Sequence, residues 1–224
     1  MCFSMTADLV VGTALVPVAA LSLREVRHRR ELPFALLPAL FSIHQFLEVA
    51  VWAGLDGDVS AGVADLAMRA YLFIAWPLLP TYVPIAVMLL EPRHARLRVA
   101  PFVALGVVVS AYLAFVVMVQ PVEVIRHANG LEYATEVHHP IVWAVLYIVA
   151  VIGSPLMSGY RTIVAFGAVN LVGLVLVAVF YFQEFASLWC IFAAVSSILI
   201  LAHMIRRRRL PEAERMHGDL VLTP

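Results

Sequence analysis

Lysine is absent from this chain of 224 residues, so all 15 basic residues are arginine. A retinal Schiff base is therefore chemically impossible, and rhodopsin-type photochemistry is excluded. No glycine-rich phosphate loop, no paired C-x-x-C and no H-E-x-x-H occurs, which leaves nucleotide hydrolysis and the common zinc-peptidase pattern without support. Charge is scarce. Only 13% of residues are charged against 63% hydrophobic, with a mean hydropathy of +0.94, a balance that no water-soluble domain of this length is expected to show. The composition is that of an integral membrane protein whose partner is the lipid bilayer.

The formal net charge is zero, but the signs are segregated along the chain. Seven runs are long enough to span a bilayer at roughly 20 residues per crossing, near 6–23, 32–55, 63–90, 101–119, 140–157, 163–182 and 187–205. Arg24, Arg27, Arg29 and Arg30 follow the first run, Arg93, Arg96 and Arg98 the third, Arg161 the fifth, and Arg206 to Arg209 the seventh. Asp56 and Asp58, then Glu123, Glu132 and Glu136, then Glu184 follow the second, fourth and sixth. The positive-inside rule then places the N-terminus outside and the basic tail 206–224 in the cytoplasm. The expected fold is all-α, a single seven-transmembrane bundle over 1–205 in a bacterial inner (cytoplasmic) membrane. The first run lacks a preceding basic region and is expected to remain as a span, not a signal peptide. The short basic clusters hug span ends, which topology and anionic headgroups explain without nucleic acid.

Residues 120–139 form the one long outer connection. Val122–Ala128 and Leu131–Val137 flank Asn129-Gly130, the strongest two-residue hairpin signal, so an outer β-hairpin is expected over 121–138, between spans 4 and 5. A type I′ turn at Asn129-Gly130 would set His127 opposite Glu132, Ile125 opposite Ala134 and Glu123 opposite Glu136. The other face would carry Val122, Val124, Leu131, Tyr133 and Val137 and could cap the bundle. Like charges directly opposite destabilise, so Glu123 and Glu136 are expected to separate in water.

Within the second span, His44 and Glu48 stand at i and i+4 and project from one helical face. Ionisable groups at bilayer depth cost several kcal/mol unless they pair, bind something or line a wet cavity. At about 1.5 Å per residue, His44 lies some 18 Å up from Leu32 and Glu48 about 6 Å further out, with Gln45 beside them and Trp52 continuing the face. Cys2, His138, His139 and Cys190 fall in the same outer half. A Cys2–Cys190 disulfide, two separately packed thiols, and metal ligation by His44, Glu48, Cys2, His139 and Cys190 are all consistent with that placement. Zinc or a similar transition metal is the candidate cofactor. The plain alternative is that His44 and Glu48 only bond each other and a neighbouring helix.

Other polar groups have ordinary readings. Asp8 lies in the first span. Asp65 and Arg69 are an i, i+4 ion pair, Asn170 a helix-packing group, and Tyr71, Tyr133, Trp143, Tyr181 and Trp189 interfacial anchors. His28, His94, His203 and His217 are expected to be solvated. In the third run, Pro77, Pro80 and Pro84 imply either plain packing kinks or a broken helix acting as a hinge.

Met1-Cys2-Phe3-Ser4, His44-Gln45-x-x-Glu48, His138-His139-Pro140 and Leu188-Trp189-Cys190 together resemble an uncharacterised family of bacterial multi-pass membrane proteins that begin Met-Cys-Phe-Ser. The resemblance covers most of the chain and implies no activity. It implies that Cys2 is a family feature, offering a thiol and, after removal of Met1, an α-amine. Three functions fit these residues. One is a membrane-embedded metal-dependent enzyme or metal-binding protein, with Glu48 as general base if it is not a ligand. Another is a proton-coupled small-solute transporter or channel using the His/Glu pair. The third is a structural subunit that binds itself or another membrane protein.

Overall fold

The computed structural model describes residues 4–127, 130–180 and 185–209, and side chains throughout these ranges except in 178–195. The protein is mostly helical, with one small antiparallel hairpin. Among the described residues, four helical stretches are long and apolar enough to cross a membrane: Met5–Arg24, Arg29–Asp56, Ala61–Leu90 and Arg93–Val119. Their outward surfaces suit lipid, since Leu66, Leu97 and Met118 each leave 70–80% of their surface uncovered.

Helix α1 (Met5–Arg24) starts where Ser4 caps the backbone N–H of Ala7. A 3₁₀ turn at Arg29–Glu31 leads into α2 (Leu32–Ala35) and α3 (Leu37–Asp56). Pro33 and Pro38 fall in the first turns of these two helices, where a missing N–H costs nothing. Gly57, at φ +80°, ends α3 in the left-handed cap that favours glycine. Helices α4 (Ala61–Phe73) and α5 (Leu79–Leu90) form one rod interrupted by a π-helical turn at Ile74–Leu78. There the Leu79 N–H bonds the Ile74 carbonyl, five residues back. The next donor in that register would be residue 80, a proline. The Ala75 carbonyl instead accepts the Tyr147 hydroxyl at 2.6 Å.

Helix α6 (Arg96–Val119) crosses this rod closely. Any Cβ on Gly106 would strike the Pro80 carbonyl, and Thr81 Oγ1 meets Ser110 Oγ at 2.7 Å. Strands β1 (Val122–His127) and β2 (Gly130–Thr135) follow, then α7 (Pro140–Leu156), α8 (Arg161–Phe180) and α9 (Phe185–Arg208). The bundle thus has a hairpin end and an arginine-rich basic end.

The hairpin register corrects the expected one. Observed partners are His127 with Gly130, Ile125 with Glu132, Glu123 with Ala134 and Val124 with Tyr133. Gly130 is itself paired, opposite His127, which slips the pairing by two residues. An even slip keeps every side chain on its face, so Leu131 and Tyr133 are still the buried ones. Glu123 now faces Ala134, which removes the like-charge pair. His127 reaches Glu132 diagonally, Nε2 to Oε2 at 2.6 Å.

Two apolar clusters hold the bundle. One joins Phe34, Leu37, Phe41, Val83, Val87, Ile163, Phe166, Ile200 and Met204 over the middle and basic end. The other joins Val51, Trp52, Met68, Tyr71, Leu72 and Val117 to Leu131 and Tyr133 of the hairpin. The hairpin is therefore part of the packed structure.

Candidate functional site

Helices α1 and α3 pack antiparallel, and small and polar residues set their register. The Ser42 hydroxyl donates to the Gly12 carbonyl at 2.8 Å. A Cβ on Gly12 would come within 3.1 Å of Gln45 Cβ, so glycine permits this approach. Further toward the hairpin, Trp52 Nε1 donates to Asp8 Oδ2 at 2.9 Å. Since residues 12 and 8 lie against 42–45 and 52, Asp8 faces the stretch of α3 that carries Glu48. Asp8 and Glu48 are fully enclosed, and His44 and Gln45 nearly so.

A second wall comes from α4. The Tyr71 ring stacks on the His44 imidazole with centroids 3.8 Å apart, and Tyr133 of β2 stacks on Tyr71 at 4.7 Å. Strand β1 covers the other side. The Arg126 guanidinium lies 5.1 Å from the Trp52 ring centre, and its Nη2 bonds Asp56 Oδ1 at 2.6 Å. A three-ring stack and a cation–π contact thus tie the hairpin to the residues around His44 and Glu48. Glu48, one turn from His44 on the same face of α3, and Asp8, across the α1 interface, put carboxylates and an imidazole along one enclosed stretch. Such groups are costly to bury charged.

The third wall is α9, which packs on both α1 and α3. Its register is fixed at the basic end, where Arg207 Nε bonds Glu31 Oε1 at 2.9 Å and His203 lies edge-on to Phe34 at 5.7 Å. Residue 190 lies as far back from 207 as Glu48 lies forward of 31. At a common helical rise, the backbone at 190 is level with Glu48 to within about one turn.

A family model described as a family of unknown function (DUF6629) matches residues 1–216. The chain belongs to that family. No curated protein and no solved structure matches it.

The positions singled out in this DUF6629 chain separate into three groups. His44, Gln45, Glu48 and Trp52 are brought together, and Asp8, Tyr71 and Tyr133 join them. Cys2 lies outside the described residues, as does the Cys190 side chain, so the expected disulfide and thiolate ligands fall there too. His138 and His139 are exposed at the start of α7, their rings 4.6 Å apart. The His138 N–H donates to the Tyr112 hydroxyl at 3.0 Å. These two histidines do not join His44. Among the described residues, no three His, Cys, Asp or Glu side chains come together as a metal site. Asn170 is buried, with its amide donating to Phe166 of its own helix at 2.8 Å. Beside His138, a cleft of about 530 Å³ opens between α6 and the segment after β2, lined by Tyr112, Phe115, Gln120, Glu136 and His138.

Three residues carry roles that sequence reasoning missed. Asp8 is the sole charged residue in the first apolar run, which was its available signal. Tyr71, expected as an interfacial anchor, is fully buried against His44. His203, expected in solvent, is 2% exposed, with Nδ1 2.6 Å from Thr162 Oγ1. Contact with α8, invisible in the local pattern, buries it.

Proposed function

We propose that this DUF6629 member is a seven-span protein of the bacterial cytoplasmic membrane, N-terminus outside, that moves a small solute coupled to protons. The observation that carries this reading is the enclosed His44, with the enclosed Glu48 one turn along α3, stacked on Tyr71 of a helix whose backbone is broken one turn further on at Ile74–Leu78. Carboxylates and imidazoles within apolar spans are the groups from which proton relays are built. A wall that ends in a proline-interrupted π turn can pivot without breaking regular helix bonds, because its open carbonyl is already served by a side chain. A protonatable centre with a movable wall is what proton-coupled alternating access requires. The seven-span count and orientation rest on the arginine bias of alternate connections and on the path of α7, α8 and α9.

The test is proton movement in proteoliposomes loaded with a pH-sensitive dye, after candidate sugars and amino acids are added. Wild type is expected to show solute-dependent proton entry, which Glu48→Gln abolishes. No movement with any solute overturns the reading.

A metal centre is the second reading. One observation favours it: His44 and Glu48 share a face of α3, while the α9 backbone at residue 190 stands level with Glu48. His44, Glu48 and the Cys190 and Cys2 thiols would make a zinc-type donor set. Elemental analysis of purified protein decides it, with stoichiometric metal in wild type and loss in His44→Ala expected. A metal-free wild type excludes it.

A further inference from the structure

The cleft beside His138 shares no lining residue with the enclosed groups around His44, and its outer wall is pinned at both ends. Thr135 Oγ1 donates to the Pro121 carbonyl at 2.9 Å, just past the end of α6. Three residues on, the Tyr112 hydroxyl accepts from the His138 N–H at 3.0 Å and donates to the His138 carbonyl at 3.2 Å. Residues 136 and 137 therefore bridge two fixed points instead of settling onto α6. Tyr112 is itself fixed, because its ring stacks on Trp143 of α7 with centroids 3.9 Å apart and planes 7° from parallel. The space left, about 530 Å³, is a preformed site of the size that takes a small organic group.

The lining decides what chemistry the cleft takes. Tyr112, Phe115 and Val116 of α6 supply two aromatic rings and a buried apolar side chain, and Glu136 and His138 stand opposite. Among the described residues lining it, Glu136 is the sole carboxylate and none is arginine. A carboxylate beside aromatic rings, with no guanidinium to neutralise it, attracts an ammonium and repels an anion. It favours a primary ammonium, whose N–H groups donate to it, over a trimethylated one. The His138 imidazole adds a ring N–H able to donate to a phosphate. Position narrows the choice further. The cleft lies along the last turns of a membrane-length helix, where the apolar run gives way to the hairpin. Val108, Ala111 and Phe115, at i, i+3 and i+7, form an exposed line that runs from Phe115 at the cleft toward the middle of that helix. An apolar strip leading into an acidic, aromatic cleft at a helix end matches a phospholipid, chain along the helix and headgroup at the interface.

We propose that this cleft binds one phospholipid with an ethanolamine headgroup from the leaflet at the hairpin end. Its ammonium sits at Glu136 against the Tyr112 and Phe115 rings, its phosphate at His138, and an acyl chain along Phe115, Ala111 and Val108. The site is independent of proton coupling and stands if that reading fails.

The test is native mass spectrometry of the detergent-purified protein titrated with phosphatidylethanolamine, phosphatidylglycerol and phosphatidylcholine of matched chains. Wild type binds one phosphatidylethanolamine more tightly than either of the others. Glu136→Gln, at an exposed side chain, weakens that binding roughly tenfold, the combined worth of one exposed ion pair and one cation–aromatic contact. Glu123→Gln, at an exposed acid of the same hairpin outside the cleft, leaves it unchanged. A wild type that holds the three lipids equally overturns the proposal, as does a preference for phosphatidylethanolamine that survives Glu136→Gln. Soluble phosphoethanolamine that displaces the lipid at equal concentration overturns the lipid occupant in favour of a free amine.

Discussion

Glu31 and Glu91 at the basic end and Glu48 toward the hairpin end are equally buried, yet they sit on the chain differently. Glu31 lies in a 3₁₀ turn, where its Oε2 accepts the Arg27 and His28 N–H groups at 2.8 and 3.2 Å. Glu91 ends α5, where Oε1 accepts the Ser158 hydroxyl and the Gly159 N–H at 2.6 and 3.0 Å, while Oε2 faces Arg98. Each carboxylate satisfies backbone donors that a turn leaves open. Glu48 projects from the middle of α3, whose own backbone ladder serves those donors. A carboxylate at a turn has a structural task ready-made. One in the middle of an apolar helix brings a desolvation cost without that return, and its presence points to chemistry.

That contrast can be broken from either side. Arg207→Met should have the largest effect, lowering stability by about 3–5 kcal/mol because it leaves the Glu31 carboxylate buried without its guanidinium; thermal unfolding in detergent reads this. Glu91→Ala should cost about 1–3 kcal/mol by orphaning Gly159 N–H and the Ser158 hydroxyl, read in the same assay. Glu48→Gln, together with His44→Leu, should leave the unfolding free energy within about 1.5 kcal/mol of wild type while proton movement is lost. A collapse in stability there would return the hairpin-end pair to the structural class. Smallest of all, Asp65→Asn should cost no more than about 0.5 kcal/mol, since Arg69 keeps its bond to the Val117 carbonyl at 3.0 Å.

Periodicity and charge made the helices and the two faces of the hairpin legible, because burial in lipid or core follows composition directly. The hairpin register was not, since the turn residues and the packing of Leu131 and Tyr133 against Tyr71 both bear on it, and an even slip costs the faces nothing. The His44–Glu48 face was legible from spacing alone. Its partners were not. Asp8 and Tyr71 reach it only through the packing of α1 and α4, and His203 is buried by a helix whose approach no local pattern encodes. The long-range Arg207–Glu31 pair, which sets the level of all of α9, joins an acid and an arginine that the sequence presents among several others.

The Tyr147–Ala75 hydrogen bond has a bearing on how the molecule is made. Proline at residue 80 leaves the Ala75 carbonyl without its helical donor, and the hydroxyl that replaces it stands 72 residues further along the chain. As the polypeptide emerges, the α4–α5 rod enters its apolar surroundings with that carbonyl still open, and it is completed only when α7 arrives. Assembly therefore has an order: the third rod finishes after the fifth begins, and a chain truncated before Tyr147 would hold every residue of the broken helix yet lack the group that closes it.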